Sequence, residues 1–375
     1  MPVKIKDQPF YVQSTVVLLG LILIVFIFST LADVLIPLAF AAFLAILLNP
    51  LCSRLEKLKI KKIYAIIISM LIAIVVTAAV FYFLATQMIQ FGQSAPMLTD
   101  KLTAMFTDLK NWVQSTFGLA VAKQDQMIKE ALNGSKALVG KTVGTVLGTL
   151  SIIFLLPVYI FLMLFYKTLI LNFLYEVFAE ENSSKVGEVL SETKSAIQSY
   201  IVGLLIEMLI VAAMNSAALL LLGIKYGILI GCIGAILNLI PYLGGIIAIA
   251  LPVLMATVTK DGYTTQLGVI AAYAIIQFID NNILVPRIVS SKVQINALVS
   301  IVVVLLGNQL WGVSGMFLSI PFVAVLKIIF DRIDELKPWG KLLGDSQPTR
   351  RIGQRWGNKN RKKAVLAPGV PQSDQ

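Results

Sequence analysis

Histidine is missing from all 375 residues. Its absence removes imidazole acid–base catalysis, histidine metal ligation and the one side chain that ordinarily titrates near neutral pH. Cysteine is almost missing. Cys52 lies near a basic loop and Cys232 lies in a Gly-rich apolar run. Two such residues give neither a disulfide framework nor a metal site, so no metal and no cofactor is expected. The chain also lacks a Ser-Lys pair, a metal-ligand spacing and a nucleophile motif, and an enzyme is not expected. Charge is scarce: 14% of residues are Asp, Glu, Lys or Arg, where a soluble domain carries about 25%.

What fills the space is hydrocarbon. Hydrophobic residues make up 58% of the chain, and the mean hydropathy is +0.86. Several apolar runs reach the roughly 20 residues that span a bilayer as helix. A β-barrel would instead alternate apolar and polar residues over segments of about 10. The fold class is therefore an all-α polytopic membrane protein, with about eight helical membrane segments. The formal charge is +11, but the positive residues cluster at the ends of apolar runs and in the tail. That placement fits orientation in a lipid bilayer, so no nucleic acid partner is expected.

Residues 1–90 read as three spans: 11–30, 31–50 and 63–90. The first follows MPVKIKDQPF without a small-residue cleavage pattern and is expected to be an uncleaved anchor. The loop bearing Arg54, Lys57, Lys59, Lys61 and Lys62 is then cytoplasmic, as is the N-terminus. Residues 91–147 turn amphipathic and predict a small helical extracytoplasmic region. Gly140, Gly144 and Gly148 then lead in GxxxG spacing into a fourth span, 149–166, expected to kink at Pro157.

Residues 148–330 predict a transport core. A polar helix over 168–199 leads into a fifth span, 200–222, which carries Glu207. The run 227–258 is interrupted by NLIPYLGG, and 297–327 by GNQLWG. Each half rises roughly 20 Å, short of a hydrocarbon core about 30 Å thick. Two broken, re-entrant hairpins are expected, entering from opposite sides, with a full span over 265–285 between them. The basic segment 331–375 predicts a disordered cytoplasmic tail.

The stretch from Phe278 to Pro321 concentrates polar side chains and helix breakers within this apolar chain. Both are costly in hydrocarbon unless protein or a water-filled cavity satisfies them. The candidate solute or ion path is accordingly Glu207, Asn238, Pro241, Tyr242, Gly244, Gly245, Gln277, Asp280, Asn281, Asn282, Pro286, Arg287, Asn308, Gln309, Gly312, Gly315 and Pro321. Amides donate and accept, which suits a neutral hydroxylated solute. Asp280 and Glu207 could carry a coupling proton or a cation. The alternative role for any single Asn is to cap a helix or to bond across an interface.

Three segments, IPYLGG at 240–245, QFIDNNILVPRIV at 277–289 and GNQLWGVSGMFLSIPFVAVLK at 307–327, resemble the AI-2E family of bacterial permeases, the autoinducer-2 exporter-like family. The likeness covers about 200–330, with looser agreement of hydropathy before it. Many members carry a His-Pro pair where this chain has Asn296-Ala297. The resemblance implies an oligomeric permease of the bacterial inner membrane. It suggests export of an autoinducer-2-like solute, with sodium/proton antiport as the alternative.

Overall fold

Where water is absent, a backbone must satisfy its own N–H and C=O groups, and a helix does so within one segment. Every regular element among the described residues is accordingly helical. The computed structural model describes residues 9–93, 95–117, 155–178, 183–240, 244–260, 262–289 and 295–345. The GxxxG run at 140–148, the distal half of the amphipathic region and the tail beyond 345 lie outside them.

Helices α1 (Phe10–Thr30), α2 (Ala32–Lys57) and α3 (Lys62–Gln93) run up, down and up. One end of the bundle therefore collects Arg54, Lys57 and Lys62, and is called the basic end below; the other is the far end. Helix α4 (Ala95–Phe117) continues from α3. No residue of α1 is buried, and its exposed side includes Leu18, Ile22 and Phe26. A helix apolar all round with no buried face is one that lipid covers.

Helix α5 (Leu155–Phe165) meets α6 (Lys167–Phe178) at a bend of 63°. The bend falls after Phe165, not at Pro157 as the sequence suggests. Its cause is at hand: the Lys62 ammonium donates to the Phe165 carbonyl at 2.7 Å and Lys167 donates to Asn49 Oδ1 at 2.9 Å. These bonds serve carbonyls that a continuing helix would have used. The polar run expected as one helix over 168–199 is also divided, because α7 starts at Ser183 and runs unbroken to Leu221.

Helix α8 (Gly227–Asn238) returns antiparallel along α7. Bare glycines make the contact: a Cβ on Gly231 would lie 2.6 Å from the Ser216 nitrogen, and one on Gly227 would lie 3.0 Å from Leu219 Cβ. Helix α9 (Gly244–Thr259) then turns back, with Gly244 against the Leu237 carbonyl. The two arms, 12 and 16 residues long, rise about 18 and 24 Å. They form the first expected hairpin, entered from the far end. Pro241 and Tyr242, in its turn, lie outside the described residues.

Helix α10 (Thr264–Ile279) does not continue as the plain span expected over 265–285. From Asp280 to Val289 it becomes a π-helix. Pro286 lacks an N–H, and α7 presses in where a Cβ on Gly203 would lie 2.6 Å from the Ile288 carbonyl.

Helix α11 (Ala297–Arg332) is long enough to pass for a single span, but it folds back on itself. Trp311 and Gly312 leave helical geometry, Gly312 with φ 58° and ψ −140°. A Cβ on Gly315 would lie 1.9 Å from the Gly307 carbonyl, so the two arms touch backbone to backbone. In a straight helix those residues would stand about 12 Å apart. At the tip the Trp311 indole donates to the Phe28 carbonyl at 2.9 Å and stacks on the Phe28 ring at 5.9 Å. Phe28 lies in the last turn of α1, where carbonyls lack helical partners. The second hairpin thus enters from the basic end and reaches the far end of α1.

Asn296 caps this hairpin. Its side chain accepts from the Val299 N–H at 2.9 Å and donates to the Leu342 carbonyl of α12 (Lys337–Leu343) at 2.6 Å. The second arm of α11 ends at Arg332, which forms ion pairs with Glu188 and Glu192 of α7.

Six helices are long and apolar enough to cross a membrane, or seven with the bent pair counted as one span. The chain is a multi-pass membrane protein.

Gly315→Ala should lower the thermal-unfolding midpoint in detergent, through a loss of about 1–3 kcal/mol from forced repacking of the hairpin. Gly20→Ala, in α1 with nothing within 4 Å of an added Cβ, should be neutral or slightly stabilising. Equal midpoints for the two variants would contradict the back-to-back arms.

Candidate functional site

The first hairpin ends inside the bundle, at Asn238. There it meets α7 on one side and the α-to-π transition of α10 on the other. The Asn238 amide donates to Asp280 Oδ2 at 2.8 Å and lies 3.5 Å from Glu207 Oε1. Gln277, one turn before Asp280, donates to the same Asp280 oxygen at 3.4 Å and to Asn281 Oδ1 at 3.3 Å. Gly245 makes room for that amide, since a Cβ there would lie 2.4 Å from Gln277 Oε1.

Two carboxylates therefore face one amide, and both are deeply buried: Glu207 is 4% exposed and Asp280 2%. Among the described residues neither forms a salt bridge. Asp280 Oδ1 has no hydrogen-bond partner. A carboxylate without a counter-charge is costly to bury, and two side by side are costlier. The arrangement is thus open to a cation or proton, and the free oxygen can also accept from a hydroxyl.

Both carboxylates line a cavity of about 650 Å³, together with Tyr200, Asn238, Gln277 and Ser300. The cavity runs from the first hairpin's turn to the second hairpin, past Val289 and Ile320. Its volume is within the 300–1,000 Å³ typical of small-molecule sites. Among the described residues no cluster of three or more His, Cys, Asp or Glu could hold a metal ion.

Of the candidates read from the sequence, Glu207, Asn238, Gly245, Gln277, Asp280 and Asn281 come together at this cavity. Gly244 serves the turn beside it. Asn282 is exposed and donates to the Phe278 carbonyl at 2.8 Å, closing a helical turn. Pro286 and Arg287 are exposed on the π-helix. Asn308 and Gln309 are exposed near the second hairpin's tip, and Gly312, Gly315 and Pro321 shape that hairpin. None of these last seven borders the cavity.

Sequence reasoning passed over Asn215, Gln266 and Tyr273, which are all buried. The signal was available: Gln266, Tyr273, Gln277 and Asp280 are spaced seven, four and three apart, one face of a helix. Asn215 stands two turns beyond Glu207 on α7.

A bundle of apolar helices, with two hairpins meeting at a buried polar cavity, defines a membrane transporter. Residues 16–335 match the model of the AI-2E family transporter, and the chain belongs to that family. It is 22% identical over 318 residues to the AI-2 transport protein TqsA of Escherichia coli, covering 84% of this chain and 91% of that one. It is 26% identical over 318 residues to YueF of Bacillus subtilis, a transport protein by its provisional name, covering 80% and 84%. It is 28% identical over 215 residues to PerM of Escherichia coli, provisionally named a permease, covering 56% and 61%.

Asn238→Leu should destabilise the protein by about 1–3 kcal/mol, the cost of leaving a buried acceptor without its donor. Asn238→Asp should cost more, because it adds a third carboxylate. Glu207→Gln in that second background should recover part of the loss, since the new amide can donate. Thermal unfolding in detergent reads all three, and an N238D no worse than N238L would argue against two facing carboxylates.

Proposed function

We propose that the protein is a secondary exporter or facilitator of a small polar solute of the autoinducer-2 kind. The single observation that carries this reading is buried Asp280, with one oxygen unpartnered, at the wall of the cavity of about 650 Å³. Asn238 and Gln277 supply amides that turn toward solute hydroxyls, and Asp280 with Glu207 binds the coupling ion. The name of one relative, an AI-2 transport protein, supports the solute class. The path runs between the two hairpins, each re-entering from its own side of the bilayer, as in transporters built on discontinuous helices.

The protein lies in the bacterial inner membrane with both termini cytoplasmic. The basic end, with Arg54, Lys57 and Lys62, faces the cytoplasm by the positive-inside rule. It works as a homo-oligomer. Helices α1–α3, whose apolar faces have few partners within the chain, form the scaffold.

A second reading, monovalent cation/proton antiport, is favoured by one specific observation. The two buried carboxylates have no basic partner among the described residues. Cation binding and proton release then exchange at one place.

Purified protein in vesicles holding a pH dye separates the readings. Sodium, potassium and proton gradients are imposed in turn on the parent and on Asp280→Asn. Cation-driven proton movement that the variant loses makes the protein an antiporter. If no cation moves protons, autoinducer-2 flux is measured next. Solute flux in the parent that Asp280→Asn abolishes is the expected result, and undiminished flux in the variant would sink the assignment of Asp280.

A further inference from the structure

The carboxylate pair is not the end of the buried polar groups. Beyond it, toward the far end, the Tyr273 hydroxyl and Asn215 Oδ1 are without hydrogen-bond partners, although the residues are only 6% and 2% exposed. Asn215 makes one weak bond, from Nδ2 to the Gly231 carbonyl at 3.5 Å. Burying such a group unpaired costs about 1–3 kcal/mol, and no bulk water reaches hydrocarbon to relieve it.

Both groups border a small void of about 10 Å³, which also touches Asn238, Gln277 and Asp280. That is about the room for one water molecule. Gly234 keeps the void open, since a Cβ there would lie 3.3 Å from Asn215 Nδ2 and 3.7 Å from the Tyr273 hydroxyl. The polar groups of the large cavity thus continue past the carboxylates along the seam of α7, α8 and α10.

The seam then changes character. Val269, one turn further along α10, is 0% exposed, and it packs in one cluster with Leu219 of α7 and Ile230 of α8, exposed 0% and 1%. Past this apolar layer comes Gln266, 8% exposed, whose Oε1 is again unpartnered. Polar groups lie on both sides of a dry layer, and apolar constrictions of this kind close paths by excluding water.

We infer that the transport path continues from the carboxylates along this seam, with Asn215 and Tyr273 as its next stations, and that Leu219, Ile230 and Val269 form its closed far gate. In this conformation the inner stations take water, a proton or a small bare cation from the cavity, and nothing larger. Gln266 is the first polar contact beyond the gate. The inference deepens the transport reading above and rests on it for the direction of the path.

The test is sided thiol labelling in a background of Cys52→Ala and Cys232→Ala, in vesicles of uniform orientation. Single cysteines are introduced as Asn215→Cys, Tyr273→Cys, Val269→Cys and Gln266→Cys. Silver ion is the small probe and a quaternary-ammonium thiosulfonate the bulky one. Silver should react at 215 and 273 only from the face onto which the cavity opens, at 266 only from the opposite face, and at 269 from neither. The bulky reagent should be excluded from 215 and 273.

Val269→Asn should then let silver reach Asn215→Cys from both faces and raise proton leak on the order of tenfold. Val269→Ser is the milder variant, used if the first is not monodisperse. Dry 215 and 273 beside a reactive 266 would overturn the path. Unchanged sidedness in a folded Val269 variant would overturn the gate. Wet stations in a protein without flux would leave this inference standing and remove the assigned transport activity; flux past dry stations would do the reverse.

Discussion

The structure depends on one amide. Asn238 stands at the end of an arm too short to cross a bilayer, and it donates to one buried carboxylate while lying within reach of another. Without a donor there, Glu207 and Asp280 would face each other across a medium that screens charge poorly. With it, three elements are fixed to one point: α7 through Glu207, the first hairpin through Asn238, and the α-to-π transition through Asp280. The glycines of α8 follow from the same requirement, because only a bare surface on α7 brings Asn238 to Glu207 at that depth.

A second constraint shapes the rest. Each place where a helix stops inside the bundle leaves carbonyls or amides that something must satisfy. The Trp311 indole serves the end of α1, Lys62 serves the end of α5, and Asn296 joins the start of one helix to the end of another. The breaks are therefore where distant parts of the chain are tied together. That explains why a chain with so few polar residues spends them at helix ends.

Much of this was legible in the sequence, for physical reasons. Apolar run length fixes how many helices cross, and NLIPYLGG and GNQLWG announce broken backbone because Gly and Pro interrupt helices at a known cost. Asp280, Asn238, Gln277 and Glu207 stood out because polar groups in apolar runs need partners. What the sequence did not display was partnership. Nothing local distinguishes Asn238, which reaches the carboxylates, from Asn308, which lies exposed near the tip of the other hairpin. Tyr273 and Gln266 hid in plain spacing because each alone looks like an ordinary interfacial residue. The bend after Phe165 was invisible because its cause, Lys62, is distant in the chain.

The π-helix from Asp280 to Val289 has a mechanical meaning. A ladder bonded i to i+5 holds a spare residue compared with one bonded i to i+4. Moving that spare residue along the segment turns the helix beside it by one residue, about 100°, while the backbone groups exchange one partner for another. Asp280 is the first residue of that segment. The carboxylate is thus mounted on a clutch, a joint where an axle can slip by one tooth without being cut.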